Sequence, residues 1–416
     1  MKENSSPELL SEELVREKTA TKFASFDLMN KKLLVIIPDN TRSAPVDKFF
    51  RIFYELLEDS VKKLDYLIAV GTHPLLGEEE KLKRVGITRE EKERRYKTVK
   101  IMNHRWDEKE TFVKIGSING DEVEELTDGL LNTGVDITIN RVIFDYDYLI
   151  ILGPVFPHEI AGFSGGAKYL FPGICGWDFI DLTHWVAALR TNIKTIGVLD
   201  TPSRKLIDRA VRFIAVPKIY FNLVVDEEGL KGLFIGDDRR AWLEAVELSS
   251  RINIRYVQKP LERVLSIPSR RYDDFWTGAK AIYKVEPAIA DGGELFVYAP
   301  HVKEFSITHG KVLDQIGFHI IDYFLEKMDR YKNFPKAVLA YSTLVKGSGR
   351  LERGNEVPRI KISLASGIPK EKCEALNMDY RDPDSISVPA WEKEQGERVK
   401  VIHNAGEVLY KTLNHM

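Results

Sequence analysis

Short apolar runs alternate with amphipathic stretches along most of this chain, and polar residues collect where the runs stop. Lys32 to Pro38 (KLLVIIP) reads as a buried parallel strand, because a strand covered on both faces is continuously apolar instead of alternating. Leu64 to Val70, Val135 to Asn140, Tyr148 to Leu152, Thr195 to Leu199 and Ile219 to Val225 have the same character. Phe49, Phe53, Leu56 and Leu57 recur at helical spacing, and Asp178 to Arg190 and Asp237 to Ile252 also read as helices. Asp226 to Gly229 reads as a hairpin turn. Strand and helix alternating in this way predict a largely parallel sheet with helices on its faces.

Composition shifts near Gln258-Lys259-Pro260 and Ser269-Arg270-Arg271, which bracket a short strand, Arg263 to Ile267, and mark a hinge. Beyond it, Asp273 to Ile282 reads as a helix start, and Gly292-Gly293 turns into a strand at Glu294 to Ala299. Lys336 to Tyr341 and Ile360 to Ala365 are strand-like, with a mobile link at Gly347-Ser348-Gly349. Val399 to His403 reads as a strand returning through the hinge, leaving Gly406 to Met416 as a terminal helix on the first domain. The expected class is α/β with two domains, each a mostly parallel sheet flanked by helices, and an active site in the cleft between them. Residues 1–260 plus 396–416 are expected to carry the cofactor and the catalytic side chains, and residues 261–395 to close over them.

With 416 residues, 44% of them hydrophobic, the chain can bury large cores. Its 61 basic and 63 acidic residues nearly cancel, to a net charge of −2, so neither nucleic acid nor an anionic membrane is an expected partner and a small molecule is. The two cysteines, Cys175 and Cys373, lie far apart without metal-ligand spacing, so no disulfide framework or zinc site is indicated. The first residues lack an apolar signal-like core and no run reaches about 18 apolar residues, which favours a cytoplasmic protein.

Candidate chemistry sits at the ends of the predicted strands, where ligands of open α/β sheets bind. Asp39-Asn40-Thr41-Arg42 follows the first strand and Gly71-Thr72-His73 the second. A longer segment, Gly153 to Trp185, holds His158, then Gly162, Ser164, Gly165, Gly166 and Lys168, then Pro172-Gly173 and His184. Its glycines permit positive φ and close approach of a ligand, and the Pro-Gly turn lets a helix carry His184 back toward Lys168. Taken one at a time these residues have plainer readings: a helix cap, a loop histidine, a glycine turn, a core histidine. His104 reads as structural. An amine, an imidazole and an anion-sized backbone pocket in one segment suggest a shared site.

Together, Asp39-Asn40-Thr41-Arg42, Gly71-Thr72-His73, Pro157-His158, Gly162 to Lys168, Pro172-Gly173 and His184 resemble the lactate racemase family. That family racemises or epimerises 2-hydroxy acids with a nickel-pincer nucleotide, pyridinium-3-thioamide-5-thiocarboxylic acid mononucleotide, which separate maturation enzymes supply. The resemblance implies that Lys168 is tethered to the cofactor as a thioamide, that His184 ligates nickel, and that Asp39, Thr41, Ser164, Gly165 and Gly166 surround the cofactor. It implies that His73 and His158 are acid/base catalysts on opposite substrate faces and that Arg42 and Lys280 hold the carboxylate. Trp276 and Thr277 stand where tyrosine and glutamine are usual, and the loop from His301 to His309 is polar and unlike the family's glycine-rich one. These departures make Trp276, Thr277, His301 and His309 candidates for specificity toward an acid larger than lactate, such as a sugar acid. Two other readings stay open: a metal-dependent hydrolase or dehydratase using the same histidines, and a non-catalytic metal- or anion-binding protein. The oligomeric state is not legible.

Overall fold

The computed structural model describes residues 7–413. Its first sheet has six strands: β1 (Lys32–Pro38), β2 (Lys63–Ala69), β3 (Ile101–Asn103), β4 (Tyr148–Pro154), β5 (Lys218–Val225) and β6 (Leu230–Gly236). Their spatial order is β6-β5-β4-β1-β2-β3, all parallel except the antiparallel edge strand β6. Leu33 to Ile37 in β1 are fully buried, as a central strand covered on both faces requires. One face is covered by α1 (Val46–Leu57), whose Phe49, Phe50 and Phe53 point inward; Phe53 meets Phe221 of β5 with ring centroids 4.8 Å apart. The chain runs outward from β1 to β2 and β3, then returns to the other side of β1 as β4. The order therefore reverses between β1 and β4, and the loops leaving their carboxyl ends flank a crevice at that point.

The second sheet is wholly parallel, with β7 (Leu261–Pro268), β8 (Ile289–Ala299), β9 (Lys361–Ser366), β10 (Asp379–Tyr380) and β11 (Val399–Ala405) in the order β10-β9-β8-β7-β11. The strand expected at Val399 to His403 exists, and it pairs with β7 in this second sheet. The chain then returns toward the first unit as Leu409–Thr412, parallel to Ile254–Val257. That strand corrects the expected terminal helix over Gly406 to Met416, whose last three residues lie outside the described ones. Leu409 to Thr412 are all buried, and pairing with an otherwise unpaired edge satisfies their backbone.

Three other expectations are corrected. Thr195 to Leu199 is not a strand: a helical turn, Asn192–Thr195, is followed by an irregular segment. Lys336 to Tyr341 begins a helix, Lys336–Lys346, because Ala337 to Val345 are buried all round and leave no polar face to reveal the period. The Gly347-Ser348-Gly349 link is pinned, with Ser348 N–H donating to Glu286 at 2.8 Å and Arg359 N–H to the Ser348 carbonyl at 2.7 Å.

The two units are joined by more than a hinge. Helix α2 (Trp177–Arg190) packs along α5 (Lys336–Lys346), and one apolar cluster runs from Trp185, Ala188 and Trp242 to Phe275, Leu339 and Val345. The helix start expected at Asp273 is two short helices, α3 (Phe275–Gly278) and α4 (Lys280–Tyr283), with the Asp274 carboxylate capping the first. No helix among the described residues is long and apolar enough to cross a membrane.

Candidate active site

The carboxyl ends of β1, β2 and β4 meet α2, α3, α4 and α5 around one cavity. The β1 loop contributes Asp39, Thr41 and Arg42; the β2 loop turns at Gly71, with φ of 58°, and contributes Thr72 and His73. The β4 loop contributes His158, Glu159, Lys168 and Tyr169, and α2 contributes His184. From the second unit come Trp276, Thr277, Lys280, Tyr283, Tyr341 and, on the loop after β8, His309. Strand ends fix backbone positions, so side chains distant in sequence are held on a rigid frame.

The two histidines expected to do acid/base work are anchored differently. His73 Nδ1 lies 2.6 Å from Asp39 Oδ2, while Asp39 Oδ1 accepts from Thr41 N–H at 3.0 Å and Thr41 Oγ1 at 2.7 Å. Burial works against the Asp39 charge, but His73, Thr41 and Arg42 outweigh it and hold this carboxylate well below its usual range. A permanent carboxylate there puts the His73 proton on Nδ1 and leaves Nε2 as an acceptor. His158 Nδ1 instead accepts the Ile160 N–H at 3.1 Å, and its Nε2 lies 3.4 Å from Arg42 Nη2. Burial, reinforced by Lys168 and Arg42, pushes His158 well below the ordinary histidine range and keeps it neutral.

Lys168 and His184 share the cavity. Protein surrounds the Lys168 amine, and burial, aided by Arg42, lowers its pKa to about 7, so a large fraction is neutral and nucleophilic near neutral pH. His184 Nδ1–H donates to the Ile180 carbonyl one helical turn back, at 2.7 Å, which leaves the Nε2 lone pair free for a metal. Burial lowers His184 to about 4, with Lys168 adding to the effect against the Ile180 carbonyl. The Lys280 Nζ, Tyr169 OH and Tyr283 OH are buried without protein partners, an arrangement that is costly until a ligand supplies them. Burial and Arg42 also hold Lys280 well below the usual lysine range.

Several expected contacts are absent from the cavity. Ser164 Oγ donates to the Pro154 carbonyl and accepts the Phe156 N–H, both at 2.8 Å. A Cβ on Gly165 would lie 2.4 Å from Val155 Cγ2, and Gly166 N–H donates to Asn222 at 3.0 Å beside Trp242. These three residues shape the turn that leads to Lys168 and are not among those lining the cavity. Asp39 and Thr41 line it but are committed to His73 and to each other. Thr277 lines it with its hydroxyl bonded to Asp274 at 3.0 Å. His301 lies outside the lining, its Nε2 buried and unpartnered. His104, also outside, is buried against Asn140 as a structural residue.

Other lining residues carried weak sequence signals. Glu159 adjoins His158, with Oε2 3.6 Å from its Nδ1. Lys284, one turn beyond Lys280 and outside the lining, donates to the Pro157 and Glu407 carbonyls behind His158. The i, i+4 spacing of the two lysines could have revealed it. Tyr341 could not be placed while its helix was read as a strand. Among the described residues no three His, Cys, Asp or Glu side chains converge to hold a metal by themselves. A metal beside His184 would therefore bring most of its ligands with it.

A family profile described as the lactate racemase N-terminal domain matches residues 2–196. The lactate racemase of Thermoanaerobacterium thermosaccharolyticum is 28% identical over 280 residues, covering 65% of this chain and 60% of that protein. The lactate racemase of Lactiplantibacillus plantarum is 27% identical over 212 residues, covering 49% of this chain and 45% of that protein. The matched segments thus span less than two thirds of these curated relatives. A crystal structure of a Thermotoga maritima protein superposes with a TM-score of 0.89 at 33% identity, covering 98% of this chain and 99% of that one. The apoprotein of the T. thermosaccharolyticum lactate racemase superposes with a TM-score of 0.70 at 18% identity, covering 97% and 93%, a likeness of fold.

Proposed function

Because this chain belongs to the lactate racemase family, we propose that it racemises or epimerises a 2-hydroxy acid at C2 with a nickel-pincer nucleotide tethered to Lys168. One observation carries the reading: the Lys168 amine and a His184 imidazole whose Nδ1–H is taken by the Ile180 carbonyl line the same cavity, and among the described residues no protein-only metal site surrounds them. Those features fit the cofactor, since a pincer that brings its own sulfur and carbon donors needs one covalent anchor and one imidazole. Lys168 would hold it and His184 would complete the metal; when bound, it supplies a hydride acceptor for a Cα–H too weakly acidic for histidine to deprotonate.

The protein's own part is binding and proton handling. Arg42 and Lys280 would hold the substrate carboxylate, Arg42 through a planar fork and Lys280 through an Nζ that has no hydrogen-bond partner in the protein. His73 would receive the 2-hydroxyl proton at Nε2, with Asp39 stabilising the imidazolium, and His158 would play the same part for the mirror-image substrate; the proton taken from the hydroxyl returns to the 2-oxygen as hydride returns to C2. Separate maturation enzymes would load the cofactor.

We propose a substrate larger than lactate, because the lining includes, besides the histidine pair, the large apolar side chains of Trp177, Trp276, Tyr341 and Leu344. The polar 301–309 stretch no longer argues for a sugar acid: His301 is outside the cavity, and Ser306 Oγ accepts the His309 N–H at 3.0 Å. The hydrolase alternative needs a metal held by His73, His158 and His184, and these side chains form no such cluster. Turnover in D2O tests the reading. Cofactor-loaded enzyme should invert C2 while returning the original hydrogen; deuterium at C2 would mean proton abstraction and contradict it.

A further inference from the structure

One wall of the cavity, contributed by α2, α3, α5 and the loop after β8, is built of aromatic rings. Trp276 stacks on Tyr341 with centroids 4.0 Å apart and planes 24° apart. His309 tilts against Trp276 at 4.4 Å and meets Trp177 edge-on at 5.7 Å, and Trp106 backs both Trp177 and His309 at 6.0 and 6.4 Å. Ile180, Ala337 and Leu344 complete this part of the lining. Trp177 and Trp276 are only half-buried, so each keeps apolar surface inside a concave site, the arrangement expected where a ligand provides the missing contact.

The hydroxyl and imidazole groups of this wall are already hydrogen-bonded within the protein. Tyr341 OH donates to the Phe275 carbonyl at 2.8 Å, the Thr277 hydroxyl is held by Asp274, and His309 Nε2 lies 3.2 Å from Thr72 Oγ1. Burial lowers His309 to about 4, so it is a neutral ring in the wall. The buried lining atoms without a hydrogen-bond partner, Lys280 Nζ, Tyr169 OH and Tyr283 OH, lie on other side chains, where a carboxylate or a cofactor would supply the partner. A polyhydroxylated chain against the aromatic wall would lose water without gaining equivalent partners. A cationic side chain would find rings to sit against, but Arg42, Lys168 and Lys280 in the same cavity repel it.

Building on the racemase reading, we propose that the wall of Trp177, Trp276, Tyr341 and His309 selects 2-hydroxy acids with a planar, apolar group on C3, an aryl group above all. The carboxylate and 2-hydroxyl meet Arg42, Lys280 and the histidine pair, and the ring lies against the Trp276 and Trp177 faces. The selective residue is Trp276, which is half-buried in the cavity wall and stacks on Tyr341.

The test is a chiral-separation assay of the cofactor-loaded full chain with 3-phenyllactate, lactate and gluconate. The expected result is a kcat/KM for 3-phenyllactate at least about 10-fold above that for either other acid, since burying a phenyl ring is worth about 1.5 to 3 kcal/mol. In Trp276→Ala the ratio of phenyllactate to lactate kcat/KM should fall at least about 5-fold. Trp177→Leu, whose substitution stays apolar, gives a second reading of the same ratio should the first variant fold poorly. Higher kcat/KM for lactate or gluconate than for phenyllactate would overturn this inference and leave the racemase reading standing. Loaded enzyme that turns over none of the three would overturn both.

Discussion

Asp39 is the residue on which the acid/base chemistry leans hardest. Its carboxylate fixes the His73 tautomer and would stabilise the imidazolium, so Asp39→Asn removes both effects while keeping the shape. We expect kcat/KM to fall by roughly 10²-fold. The loss must be equal in both directions for mirror-image substrates, because their equilibrium constant is one. Thr41→Val, which removes only a supporting hydrogen bond, should cost less than about 10-fold, and chiral chromatography of both reaction directions measures each. This residue-scale account was partly legible in the sequence: polar residues at strand ends pointed to Arg42, His73, His158, Lys168 and His184, and the cavity collects all five. Ser164, Gly165 and Gly166 are not among the cavity-lining residues, and the Ser164 hydroxyl is bonded to the backbone of Pro154 and Phe156. A glycine needed so that the backbone can pass Val155 and Trp242 looks, in sequence, like one needed for a ligand.

Helix α5 shows how elements were misread and what they do. Its stretch KAVLAY is short, apolar and rich in residues that suit strands, and a helix buried on every side has no polar stripe to betray it. Its N-terminus has no side-chain cap of its own; Asp181, on α2 one turn before His184, accepts the Ala337 N–H at 2.8 Å. Burial raises the Asp181 pKa, and the α5 backbone donors oppose that shift. This bond links the helix carrying the proposed nickel ligand to the helix carrying Tyr341. Asp181→Ala should lower the unfolding free energy by about 1 kcal/mol, within the usual range for a lost cap, as read by urea denaturation. An unchanged midpoint would mean the cap is dispensable. Predicted strands β1, β2, β4 and β5 appear within a residue or two of their expected places, because central parallel strands carry the strongest apolar signal.

Across the whole molecule, buried ionisable groups couple the site to stability. Burial lowers Lys168 and Lys284 to about 7 and His104 and His309 to about 4, below their values in an unfolded chain. The unfolded chain therefore binds more protons from about pH 4 to 6.5 and again from about pH 7 to 10, so stability rises with pH through both windows. The urea midpoint of the cofactor-free protein should increase from pH 5 to 6.5 and from pH 7 to 9, with Lys168→Met flattening the upper rise; a wild-type midpoint that falls from pH 7 to 9 would contradict this. The two-sheet architecture was legible from alternating elements, but the shared core between α2 and α5 was not, since contacts 150 residues apart leave no local period. The central claim is that the Lys168 amine anchors the cofactor, and the intact mass of protein made in a cofactor-producing host tests it most directly. The account predicts a mass adduct, accompanied by nickel, that disappears in Lys168→Ala; an active wild-type protein of unmodified mass without nickel would contradict it.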